Sequence, residues 1–148
     1  MTSLEVISLA SLISGVLDLT ATSTLMRAKG VAFERLLQTI ASGAFGPSAF
    51  QGGRTTATAG LFFHFFIALA ATSIYFAGSR KLLFLLEHPL LSGLLYGTVV
   101  HLVMSRIVVP LSAAPKRVFS AKAFLTQWII HILFVGLPIA LVVGHFST

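Results

Sequence analysis

Apolar residues run through the chain in four long stretches, separated by shorter segments where charge, glycine and proline collect. The stretches cover about residues 4–26, 57–78, 90–111 and 123–146. As a helix, each is long enough to cross a hydrocarbon core of about 30 Å, which takes roughly 20 residues. The runs are continuous and lack the period-two alternation of a closed β-barrel. The pattern predicts an all-α polytopic membrane protein, one domain over residues 1–148 with four transmembrane helices in a bundle. The first stretch does not read as a cleaved signal peptide, because no Lys or Arg precedes it and Asp18 interrupts it.

The first connection is longer than a turn. Over residues 31–44, Phe33, Leu36, Leu37, Ile40, Ala41 and Ala44 recur at helical spacing, with Glu34, Arg35, Gln38 and Thr39 opposite. This predicts an amphipathic helix along the membrane surface or against the bundle. Gly43, Gly46 and Pro47 end it, and Pro89 sits where a first-turn proline would start the third span.

Composition agrees with lipid as the solvent. Hydrophobic residues make up 56% and charged residues 9%, against about 25% charged in a soluble domain. Mean hydropathy is +0.96. With no cysteine, disulfides, thiolate metal sites and a cysteine nucleophile are excluded. The net charge of +6 comes from residues scattered between apolar runs, so nucleic acid is not an expected partner. The scatter does set an orientation. Arg27, Lys29, Arg35 and Arg54 lie in the first connection and Lys116, Arg117 and Lys122 in the third, while the second has only Arg80 and Lys81. The positive-inside rule places the first and third connections in the cytoplasm and both termini outside.

Ionisable groups at membrane depth are costly and carry the default functional hypothesis. They are Asp18, His64, His101, His131 and Arg106, and the first four fall in one layer to within about a helical turn. Stripes of small and polar residues turn them toward neighbouring helices: Ser8, Ser11, Gly15, Asp18 and Thr22 in the first span, Gly60, His64, Ala68, Ala71 and Tyr75 in the second, and Gly93, Gly97, His101 and Ser105 in the third. In the fourth, Gln127 and His131 lie one turn apart.

Several readings of this layer stay open. Neutral histidines can hydrogen-bond between helices and fix the packing. Any two of His64, His101 and His131 can be axial ligands of a haem b. Asp18 and the histidines can form a proton or ion pathway. Zinc fits the ligand types, but no close-spaced ligand pair supports it, and no metal site is expected. Arg106 either snorkels to the headgroups or pairs with Asp18 in a polar core. At the surface, Arg54 before the second span and Lys116 and Arg117 before the fourth suit anionic lipid headgroups on the cytoplasmic side. No catalytic residue set emerges: the acids Glu5, Asp18, Glu34 and Glu87 are far apart, and neither GxSxG nor HExxH occurs.

One internal similarity stands out. LISGVL at 12–17 matches LLSGLL at 90–95, the alignment continues through Thr20 with Thr98 and Met26 with Met104, and a histidine follows in each next span. Two duplicated hairpins would be parallel repeats.

Gly93, Tyr96 and Gly97, with His101 and the exit Val109, Pro110, Leu111 and Ser112, resemble the small bacterial inner-membrane proteins called YagU-like. Those proteins also combine a glycine-containing span, an intramembrane histidine and a Pro-Leu exit. The likeness covers about a third of the chain and departs at the N-terminus, which here has no basic tail. It implies a multi-pass protein of the bacterial inner membrane and carries no activity across. Four short spans with an acid in the first are also a feature of small multidrug exporters, but the biased loops argue against their dual topology. The functional expectation is a non-catalytic accessory subunit, working with other membrane subunits or as a homo-oligomer. The alternatives are a bis-histidine haem redox protein and a proton- or solute-translocating oligomer.

Overall fold

The computed structural model describes residues 1–147, and among these it is all-helical, without a strand. Four helices are long and apolar enough to cross a membrane: α1 (Ser3–Ala28), α3 (Gly53–Ser79), α5 (Pro89–Leu111) and α6 (Ala121–Ser147). Between them lie α2 (Phe33–Phe45), followed by a 3₁₀ segment (Gly46–Gln51), and a short α4 (Phe84–Glu87). Local chemistry sets the ends. Thr2 and Glu5 form a reciprocal capping box at the start of α1. Ser120 caps α6 by accepting from the Ala123 amide, and Pro89 opens α5.

The packing order is α3–α1–α6–α5. The backbones of α3 and α5 stay apart along most of their length, which leaves a space between them. Burial divides the interior in two. One cluster of Val6, Ala10, Tyr75, Phe76, Val135, Ile139, Ala140 and Val143 fills the end away from the basic connections. A smaller one of Leu19, Leu36, Leu37 and Ala57 fills the end near them. The outward faces expose large apolar residues such as Leu12, Phe62, Phe66, Leu95 and Ile129, the surface lipid requires.

Both α5 and α6 contain one turn of π-helix, at Met104–Val108 and Ile132–Gly136. A cause is visible in each sequence. Pro110 and Pro138 have no amide to donate, and their rings crowd the carbonyls four residues back, on Arg106 and Phe134. Those two residues lie inside the wide turns. In α6 the wide turn carries Gly136, which meets Gly93 and Gly97 of α5 backbone to backbone.

α2 exists as expected, but its buried face is rotated. Leu36, Leu37, Gln38, Ala41 and Ser42 are inside, whereas Phe33 and Ala44, expected on the apolar side, are exposed. Gln38 goes in because Gly53, held at φ +55°, offers a carbonyl that the Gln38 side-chain amide reaches at 3.1 Å. α2 lies across α3 at Gly60, where a β-carbon would fall on the Leu37 carbonyl. Gly60→Leu is therefore expected to lift α2 off α3. Overpacking of about 1–3 kcal/mol should speed amide exchange at residues 36–42 about tenfold or more, with α1, α5 and α6 unchanged.

Candidate functional site

The four ionisable groups converge. Measured from the helix ends on the basic side, Asp18, His64, His101 and His131 each lie about 15–17 Å deep, at the boundary between the two apolar clusters. α1 contributes Asp18, α3 His64, α5 His101 and α6 His131 together with Gln127.

Hydrogen bonds fix how the imidazoles are held. Nε2 of His64 lies 2.8 Å from the Gly15 carbonyl. A carbonyl only accepts, so this nitrogen carries a proton. Nδ1 of His64 faces Asp18 at 4.0 Å, and a protonated His64 would thus span two positions one turn apart on α1. Nδ1 of His131 lies 2.7 Å from the Gln127 carbonyl and 3.3 Å from Nδ1 of His101. The carbonyl assigns the proton to His131 Nδ1, which makes His101 Nδ1 the acceptor. Neutral His101 then carries its proton on Nε2, a buried atom without a protein partner. The Phe124 ring packs edge-on against His101 at 4.5 Å, and the Trp128 indole N–H donates to Thr98 at 3.0 Å, tying α6 to α5 beside the pair.

These groups border open space. A cavity of about 310 Å³ is lined by Asp18, His64, His101, Gln127 and His131, with Thr39, Ile40 and Ser105 toward the basic side. A smaller one of about 120 Å³ continues past Ser14, Gly15, Asp18, His64 and His131 to Ala71 and Val100. Together they are roomy enough for several waters. Oδ1 of Asp18 and Oε1 of Gln127 are also buried without a protein partner, so three unsatisfied polar atoms belong to residues lining one cavity. Unsatisfied buried polar atoms cost about 1–3 kcal/mol each, and a water or a bound ion removes that cost. At the other end the space is shut. Tyr75 OH donates to the Leu85 carbonyl at 2.9 Å and lies 2.8 Å from the Ser92 hydroxyl, and Tyr96 OH donates to the Ala71 carbonyl at 2.6 Å. The two tyrosine rings meet edge-on at 4.9 Å.

Arg106 is not part of this core. It is exposed, and its guanidinium stands 5.1 Å from the Phe124 ring centre and 5.6 Å from that of Phe119. The partner of Asp18 is His64. Ser8 likewise faces outward, and Ser14 takes its place inside. Arg54, Lys116 and Arg117 are exposed at the basic end. For a haem, two histidines must face one iron across a porphyrin plane. Here His101 and His131 touch directly, so binding would require at least one to leave its present partners. No three His, Asp or Glu among the described residues stand close enough to hold a metal ion. Sequence reasoning missed the Tyr75–Ser92–Tyr96 seal and the part played by Gln127.

The natural absence of cysteine makes access measurable. A cysteine at Ser105, beside the cavity, is expected to react with a small polar thiol reagent more than about tenfold faster than one at Ser92, because only the solvated thiolate reacts.

Compared with protein-family models, curated proteins and solved structures, the chain matches none.

Proposed function

We propose that the chain translocates protons, with Asp18, His64, His131 and His101 as the relay inside the membrane. One observation carries this reading: the four groups line a single wettable space that reaches toward the basic side and stops at the tyrosine seal. Asp and His chains at membrane depth are the usual means of moving protons through a bundle. His101 and His131 already share a hydrogen bond along which a proton can pass, and His64 bridges toward Asp18. An accessory subunit needs packing faces, but it has no use for a cavity bordered by unsatisfied ionisable groups. That contrast favours translocation over the structural role. The reading includes a place in the bacterial inner membrane, with the basic connections in the cytoplasm, where protons would reach the cavity. Transfer past the tyrosine seal would need α3 and α5 to shift relative to each other.

The experiment is dye-reported proton flux into vesicles holding the purified chain, driven by an imposed membrane potential. Flux well above protein-free vesicles supports the reading. Flux equal to that of protein-free vesicles, with the protein folded and incorporated, removes it.

A further inference from the structure

A groove of about 550 Å³ opens on the basic side, between α2, the π-turn end of α5 and the third connection. Ile67, Met104, Val108 and Pro110 give it apolar walls, and Lys116 and Arg117 stand on its lining. No acid contributes to the lining, and among the described residues neither cation meets a carboxylate. The volume lies within the roughly 300–1,000 Å³ of small-molecule sites. The basic segment is held in place: the Ala113 amide donates to the Gly43 carbonyl at 2.9 Å, which pins the third connection to the end of α2. Thr39, Ile40 and Ser105 border both this groove and the histidine cavity.

We infer that the groove is a seat for one anionic phospholipid of the surrounding leaflet. The acyl chain lies along the apolar walls and the phosphate is met by Lys116 and Arg117. Charge complementarity selects the occupant. A zwitterionic lipid fills the walls equally well but brings a compensating cation to two unpaired cations. Each basic residue near an anionic surface strengthens attraction about fivefold, so two give a preference of about 25-fold. The inference goes beyond the proton reading and does not depend on it.

The test is native mass spectrometry of the full chain, titrated in detergent with phosphatidylglycerol and with phosphatidylcholine of the same acyl chains. The expected result is one retained phosphatidylglycerol at concentrations where phosphatidylcholine is lost. That preference should disappear in Lys116→Glu/Arg117→Glu and persist in Arg27→Glu/Lys29→Glu, a control on the same side away from the groove. All four residues are exposed, so neither variant disturbs the bundle. Equal retention of both lipids overturns the inference. So does an equal loss in the control pair, which would reduce the effect to general surface charge. A stable dimer that binds no lipid until Lys116 and Arg117 are reversed also overturns it, since a second copy would then be the occupant.

Discussion

Gly136→Val is expected to destroy the bundle. A β-carbon at residue 136 would fall on the Gly93 carbonyl oxygen and the Gly97 nitrogen, and would lie 2.6 Å from the Gly97 α-carbon. These are backbone atoms on both sides, so no rotamer change relieves the overlap, and α5 must move away from α6. Overpacking into side chains costs about 1–3 kcal/mol, occasionally more. Two backbones forced apart belong at or beyond the top of that range. The protein should emerge from detergent polydisperse, or lose its cooperative thermal transition by circular dichroism. Gly144→Ala, on the same helix, is the control. Its new methyl would meet nothing closer than Pro89 at 3.4 Å, and alanine suits a helix better than glycine by about 1 kcal/mol. That variant should be as stable as the parent or slightly more stable.

The second large effect is functional. Asp18→Asn keeps the volume of the side chain and a carbonyl that can accept from His64, but it removes the group that takes and releases a proton. Loss of a positioned acid or base costs on the order of 10²–10⁴-fold. Proton flux is therefore expected to fall on the order of 100-fold or more, while the thermal transition stays within a few degrees of the parent's. The reverse outcome, retained flux with reduced stability, would assign Asp18 to packing.

Much of this architecture was legible in the chain, for a physical reason. Lipid leaves the backbone only helices or closed barrels, so four long apolar runs allow few alternatives. The layer of Asp18, His64, His101 and His131 was legible because helical rise converts residue number into depth. What was not legible depends on rotation and crossing. Arg106 could reach Asp18 by depth alone, but α5 turns it outward to Phe119 and Phe124. Gln38 looked like a surface residue because its partner is a carbonyl exposed by the left-handed Gly53, and no hydropathy pattern encodes that. The wide turns beside His101 and His131 did leave a trace: Pro110 and Pro138, about two helical turns after a histidine in an apolar helix. The LISGVL and LLSGLL segments lie at different depths, because Gly15 borders the cavity of the Asp18 layer while Ser92 bonds Tyr75 at the far end. Gly15 packs on α3 and Gly93 on α6, each next to a buried serine. The Gly15 crossing meets the Phe65 side chain, however, whereas the Gly93 crossing meets backbone.

The function proposed for the Asp18 layer is proton transfer across the membrane. Its most direct test is potential-driven proton flux in vesicles at matched incorporation, comparing the parent with Asp18→Asn. Flux should be well above protein-free vesicles in the parent and close to their background in the variant. Equal flux in the two proteins, or none in either, would contradict it.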